Sequence, residues 1–233
     1  MQHKIRIVVA TRESREDFLF KTALGKSLAL YNYPQIEIAL FDQNKLGLPA
    51  VYNMAIEAAK QDPAILVFVH DDVHLCGFNW PAEIVEGLDH FQLIGLAGNR
   101  RRVTYQPAWC FVDAKFTWDT QENLSGMVGH GTGFPPANIK QFGPPGREVK
   151  LLDGLFMACD SRTLLKHGLK FDERFDFHFY DMDFCREAEK LGIKMGTWSI
   201  STIHESLGNF GSEAWLAGYL KYLEKWEKPV NQR

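Results

Sequence analysis

The stretch ILVFVHDDV, residues 65–73, ends an apolar run on a histidine and two adjacent carboxylates: His70, Asp71 and Asp72. Groups of these types in one place can ligate a divalent cation, carry a proton, or hold hydroxyls by hydrogen bonds. Mg²⁺ and Mn²⁺ favour oxygen ligands, and a diphosphate supplies oxygens to complete a shell that a protein carboxylate begins. Turn formation is the competing reading, because aspartate side chains bond their own backbone in turns. Two further polar clusters weigh against turns alone. One is FDERFDFHFYDMDFC, residues 171–185, where Asp181 and Asp183 stand just ahead of an expected helix; the other is His204 in STIHESLG. Helix capping accounts for one of those two aspartates better than for both.

The elements that must position these groups follow from periodicity. Lys4–Ala10 is short, β-branched and apolar, and is predicted as a first strand. Residues 13–31 carry Phe18, Leu19, Ala23, Leu24 and Leu28 near helical spacing. A second strand is predicted over Ile36–Phe41. A helix follows from Pro49 through Lys60, with Val51, Met54, Ala55 and Ala58 on one face. Ile65–Val69 is the third strand, Pro81–Leu88 a short helix, and Phe91–Ala97 the fourth strand. Such alternation predicts an α/β fold with a mostly parallel central sheet flanked by helices. Ligands of open parallel sheets bind beyond the carboxyl ends of the strands. Thr11 and Arg12, Asp42 and Asn44, and His70 to Asp72 all follow strands and are expected on that one edge.

Composition changes after residue 98. Arg100, Arg101 and Arg102 open the segment, as a solvated charge run or an anion contact. The Gly/Pro-rich GHGTGFPPANIKQFGPPG, residues 129–146, reads as a long irregular loop, either an acceptor-side lid or a plain insertion. Regular structure resumes with a strand pair or bulged strand over 149–160, a helix over Ser161–His167, a helix over Asp183–Leu191 ended by Gly192, and a strand over 193–200. Ser212–Trp226 is expected as a helix with Trp215, Leu216, Tyr219, Leu223 and Trp226 on one apolar face, read as a packing surface. No repeat or linker divides the chain. The expectation is one domain over 1–233, with a donor-binding half (1–98), an acceptor and catalytic half (99–211) and a C-terminal helix (212–233).

Bulk properties exclude several classes. A composition 45% hydrophobic and 24% charged argues against disorder, and a net charge of −3 argues against a nucleic-acid partner. Four scattered cysteines without CxxC spacing form neither a disulfide framework nor a recognisable zinc site, and are expected as free thiols. The first residues turn polar too soon for a signal peptide, and no apolar run reaches the roughly 18 to 20 residues a membrane span needs. A cytoplasmic protein is expected, with peripheral membrane contact left open. His74, His130, His167 and His178 have no evident partner and read as surface or packing residues. Trp80, Trp109 and Trp118 belong either to the core or to a sugar-stacking surface.

At two places the sequence resembles a known family. NKLGLPAVYNMAIEAAKQDPAILVFVHDDV (44–73) resembles the asparagine, helix, apolar strand and DxD run of GT-A glycosyltransferases of the family 2 type. LLDGLFMACDSRTLLKHGLKFDERFDFHFYDMDFCREAEKLGIKM (151–195) resembles that family's second half, where a DG-containing strand precedes FDE, an acidic pair and an arginine. Across residues 4–204 the resemblance implies a GT-A fold and an inverting, metal-dependent transfer of sugar from a nucleotide-diphospho-sugar to an acceptor hydroxyl, in glycan or surface-polysaccharide synthesis. It implies that Thr11, Arg12 and Asp42, with Asn44, line the nucleotide site. Asp71 faces the sugar, and Asp153 and Gly154 lie under the sugar and acceptor. It further implies that Asp181 is the general base, that His70 and Asp72 hold Mn²⁺ or Mg²⁺, and that His204 is a further metal ligand or a diphosphate contact. The family usually has aspartate where His70 stands, and histidine suits Mn²⁺ better than Mg²⁺. Ala10-Thr11-Arg12-Glu13 also departs from the common Pro-Thr-Tyr-Asn. Two other readings stay open: another nucleotide-sugar enzyme, such as a nucleotidyltransferase or hydrolase, and a binding protein without turnover. The acceptor class (glycan, lipid-linked or protein) is not specified.

Overall fold

The structure is a computed structural model that describes residues 3–31, 33–206, 208 and 210–227. Strand β1 (Ile5–Ala10) is buried over nearly its whole length, as its run of β-branched residues requires. The expected helix over 13–31 is two helices, α1 (Arg15–Lys21) and α2 (Ala23–Leu28). Thr22 divides them. Its backbone is extended, its hydroxyl donates to Phe18 O at the end of α1, and the same oxygen accepts from Gly25 N at the start of α2. Strand β2 (Ile36–Phe41), helix α3 (Leu48–Ala58) and strand β3 (Ile65–Val69) follow as expected.

Beyond β3 the chain forms β4 (Val73–Leu75), α4 (Trp80–His90), β5 (Leu93–Gly95) and β6 (Ala97–Asn99). The last two replace the single strand expected over Phe91–Ala97, because the chain passes at Leu96 from one sheet into another. The segment expected as an irregular loop is largely a β-hairpin, β7 (Leu124–His130) and β8 (Asn138–Gly143). Its glycines misled the composition reading. Gly143, in β8, lies so close to Leu124 that a side chain would run into the carbonyl, so the glycine serves strand packing and not looseness.

Then come β9 (Leu151–Leu152), β10 (Phe156–Asp160), α5 (Ser161–His167), α6 (Tyr180–Lys190), β11 (Met195–Thr197), β12 (Thr202–His204) and α7 (Glu213–Trp226). Helix α5 sits where expected: Asp160 caps it through Arg162 N, and Gly168 ends it in the left-handed conformation. Helix α6 starts earlier than expected, so Asp181 and Asp183 lie in its first turn and not ahead of it. Neither caps it. The cap position is Phe179, with a left-handed backbone and no side-chain cap bond.

The first sheet has the order β11-β5-β10-β3-β1-β2. Its β1:β2, β1:β3 and β5:β11 ladders are parallel, while β10 runs antiparallel between β3 and β5. A second sheet, β4-β12-β7-β6-β9 with β8 on β7, was not foreseen from sequence. One hydrophobic core joins both sheets, from Ile7 and Phe68 to Phe156 and Phe184. Among the described residues no helix is long and apolar enough to cross a membrane, and none of the cysteines is paired.

Helix α7 packs through part of the expected stripe: Trp215 and Tyr219 are buried and Leu223 and Trp226 half-buried, but Leu216 is exposed and Tyr222, outside the stripe, is buried in its place; residues 228–233 of the expected helix lie outside the described residues. It also carries a charge lock. Lys225 Nζ reaches Asp172 at 2.9 Å, Asp183 at 2.7 Å and Glu187 at 3.0 Å, and Trp226 Nε1 donates to Asp183 Oδ1 at 2.7 Å. Removing the cation would leave Asp172 and Glu187 facing the buried Asp183 without it. Lys225→Met is expected to lower the unfolding free energy by about 3 kcal/mol, the scale of an orphaned buried charge. Urea titration measures this, and a loss under about 0.5 kcal/mol would contradict the lock.

Candidate active site

Because β1, β2 and β3 are parallel and in register, the residues after them gather on one edge. Thr11 N donates to Phe41 O, Asn44 N donates to Thr11 O, and Thr11 Oγ1 donates to Asp71 Oδ2 at 2.6 Å. Burial pushes the Asp71 carboxyl above its ordinary range, against the pull of that bond. Asp42 is on the same edge, 3.5 Å from Arg15, and Arg12, which follows β1, is exposed. The Asn44 amide bonds within its own turn, to Leu46 N and Leu46 O.

Next to this edge, one ligand atom each from His70, Asp72 and His204 lie within 4.8 Å of one another. Pairing of β12 with β4 brings them together: His204 stands opposite Val73, and Glu205 N donates to Asp72 O. His204 Nε2 is 3.3 Å from Asp72 Oδ2 and 3.0 Å from Ser206 Oγ. Burial opposes the Asp72 charge, yet the bond and charge of His204 outweigh it and hold the carboxyl down at about 2. Burial lowers His70, and also pulls on His204, which Asp72 nevertheless raises. Asp72 Oδ1 is buried without a hydrogen-bond partner among the described residues. An ionised carboxylate with an unsatisfied oxygen beside two imidazoles fits a cation that accepts mixed N and O ligands, which Mn²⁺ does.

The second group comes from the turn before β10 and from α6. Gly154 N donates to Asp181 Oδ2 at 3.0 Å, and Met182 N donates to Asp181 Oδ1 at 2.8 Å. Burial first, and the Asp153 charge second, raise the Asp181 carboxyl to about 7 despite those bonds. The companion acid Asp183 is not part of this group; it belongs to the Lys225 lock.

A cavity of about 510 Å³ is lined by His70, Asp72, His204, Asp153, Gly154 and Asp181. Thr11, Arg12, Asp42 and Asn44 lie outside it, on the adjoining strand edge. Much of the rest of its wall is aromatic, with Trp109, Trp118, Phe142, Phe177, Phe210 and Trp215. Trp118 is 44% exposed, with Lys140 Nζ 3.6 Å from the ring centroid, whereas Trp80 is a core residue. The three arginines do not line the cavity. Arg101 pairs with Asp119, Arg102 with Glu189, and Arg100 bonds Glu122 O.

Sequence reasoning missed His130 and His178, which both line the cavity. His130 pairs with His204 across β7 and β12, the ring centroids are 6.0 Å apart, and its Nδ1 is buried without a partner among the described residues. No signal marked it, because its strand looked like a loop. Trp109 and Trp118, read from sequence as either core or sugar-stacking residues, both line the cavity, whereas Pro107 and Ala108 beside them carried no reading, since their cavity face is set by contacts and not by a period.

Comparison with known proteins fits this arrangement. The model of a family described as "Glycosyltransferase like family" matches residues 14–207. Comparison with curated proteins finds no match. Among solved structures, GalNAc-T7 with UDP, GalNAc and Mn²⁺ is similar at a TM-score of 0.51 and 13% identity, over 97% of this chain and 48% of that one. S. aureus TarS, residues 1–349, is similar at 0.51 and 14% identity, over 96% of this chain and 72% of that one. This chain thus spans about half the length of the GalNAc-T7 chain. At such identities the likeness speaks for the fold, and the family match covers most of the sequence: the chain belongs to the glycosyltransferase-like family and has the GT-A fold.

Proposed function

We propose that this protein is an inverting, cation-dependent glycosyltransferase that moves a sugar from a nucleotide-diphospho-sugar to an acceptor hydroxyl. One observation carries the reading: a low-pKa Asp72 flanked by His70 and His204, and a near-neutral Asp181, line the same cavity. Two carboxylates with opposite pKa shifts suit opposite tasks, one a permanent anion and the other a proton acceptor. Asp181 takes the acceptor O–H proton as the acceptor oxygen bonds the anomeric carbon, and the sugar–diphosphate bond breaks with its electron pair on the leaving oxygen. A divalent cation held by His70, Asp72 and His204 would neutralise the charge that develops on that oxygen. Thr11, Arg12 and Asp42 would contact the nucleoside, with Asp71 toward the sugar; Asp153 and Gly154 form the floor between donor and acceptor. Asn44 shapes its turn.

Support for the donor class comes from the GT-A fold and from GalNAc-T7, a structural neighbour determined with UDP and Mn²⁺. A UDP-sugar and Mn²⁺ are therefore the first to test. For the acceptor, the aromatic wall favours a carbohydrate, whose C–H faces pack on indole rings while its hydroxyls point to the polar side. A glycan or surface polysaccharide fits this reading. Histidine in place of the family's usual aspartate at residue 70 keeps a three-ligand cluster, and the raised Asp181 on the same cavity favours turnover over binding alone.

Asp181→Asn should retain donor and Mn²⁺ binding and lose transfer by about 10²- to 10⁴-fold, the usual share of a general base. A fully active variant would remove the base assignment. Because the raised Asp181 must be ionised to act, kcat should climb with pH and level off above about 7; a flat profile from pH 5 to about 8 would contradict this. Mn²⁺ affinity should follow His204. Its pKa is raised, and a protonated imidazole cannot ligate, so affinity should fall about tenfold per pH unit below that pKa. Titration calorimetry reads this, with Asp72→Ala as the variant expected to bind no Mn²⁺.

A further inference from the structure

Tyr180 is buried at the start of α6, with its ring among those of Tyr52 and Phe171. Its phenol oxygen lies 2.8 Å from Gly154 O and 2.8 Å from His70 Nε2. A phenol has one proton to give, and a backbone carbonyl can only accept. If that proton pointed at His70, two oxygens would face each other at 2.8 Å with nothing between them. The Tyr180 proton therefore goes to Gly154 O, and the phenol oxygen accepts from His70. The His70 ring proton then sits on Nε2, which leaves the lone pair on Nδ1.

We propose that Tyr180 is a positioning residue: by accepting from His70 Nε2–H, it fixes the tautomer and ring orientation that present Nδ1 to the cation shared with Asp72 and His204. This rests on the cation reading above. Other contacts support the orientation. Phe177 stacks on the His70 ring, with centroids 5.7 Å apart and planes 27° apart, and the His70 backbone N–H donates to Leu155 O. Metal-ligating histidines generally give their other ring N–H to a fixed acceptor, which holds the ring and strengthens the ligand. Acceptors in this role are usually carboxylates, carbonyls or waters; here a phenol does it, itself tied to a carbonyl.

The same contacts reach the base. Gly154 accepts the Tyr180 proton with its carbonyl and donates its N–H to Asp181 Oδ2. A side chain at Gly154 would come within 2.5 Å of the Tyr180 phenol oxygen and 2.9 Å of Asp181 Cβ. One glycine thus carries hydrogen bonds to both the residue that orients the cation ligand and the residue that takes the acceptor proton.

The test is Tyr180→Phe, which keeps the buried ring and removes only the hydroxyl. Free Mn²⁺ measured by electron paramagnetic resonance on the full chain should show affinity about 10- to 100-fold weaker than wild type, the usual effect of losing such a partner. In the metal-free protein, ¹⁵N-edited histidine spectra should show His70 as the Nε2–H tautomer, and Tyr180→Phe should lose that uniform state. A purely structural role would lower the melting temperature of the metal-free variant and leave Mn²⁺ affinity and tautomer unchanged, which overturns the proposal. A wild-type His70 protonated at Nδ1 overturns it as well. If wild type binds no Mn²⁺, the cation reading falls and this proposal with it; if wild type binds and Tyr180→Phe binds equally, only this proposal falls.

Discussion

The antiparallel placement of β10 between β3 and β5 is the constraint on which the site depends. In that register Phe156 stands opposite Val69, so the turn entering β10 meets the turn leaving β3. The bond from His70 N to Leu155 O closes the junction. Were β10 parallel, Asp153 and Gly154 would lie at the far end of the sheet from His70 and Asp72. Helix α6 packs over the same turn. Gly154, having no side chain, admits both Tyr180 and Asp181, and segments far apart in sequence share one cavity.

That junction concentrates negative charge, and each acid is made tolerable in a different way. Asp71 accepts from Thr11, Asp72 is compensated by His204, and Asp181 accepts two backbone N–H groups. The difference between Asp72 and Asp181 follows from their partners. The bond and charge of His204 outweigh burial at Asp72, whereas burial outweighs the two backbone amides at Asp181, where Asp153 adds repulsion. The protein therefore holds one carboxylate ionised across the working pH range and another close to neutrality, within one hollow.

The second sheet and α7 complete that hollow. Strand β12 delivers His204, and β7 sets His130 beside it. Helix α7 supplies Trp215 to the cavity wall and packs on Phe179, whose left-handed backbone costs of order 1–3 kcal/mol and starts the helix that bears Asp181. The Phe179 contacts with Trp215, Tyr219 and Tyr222 hold that conformation, and the Lys225 lock keeps α7 in place. Distant packing thus bears directly on where Asp181 points.

By itself the sequence determined the strands β1, β2 and β3 and the helices α3 and α5, because their patterns are local: β-branched runs, helical spacing, an aspartate cap and a terminal glycine. It also singled out His70, Asp72, His204 and Asp181, since chemistry-bearing residue types stand out at strand and helix ends; His70 and Asp72 lie in the first family-like segment, Asp181 in the second, and His204 after both. Tertiary structure alone decided the rest. Thr22 breaks a helix whose apolar spacing continues through it, because its hydroxyl can serve both ends at once. Gly143 belongs to a strand and not a loop because two backbones meet there. Asp183 turns from a candidate site residue into an anchor because Lys225, far along the chain, reaches it. Tyr180 and His130 acquire their places only when strands from both sheets are paired. Periodicity reports which face of an element is buried, but not which distant element covers it, and these residues act through groups that the chain brings near only on folding.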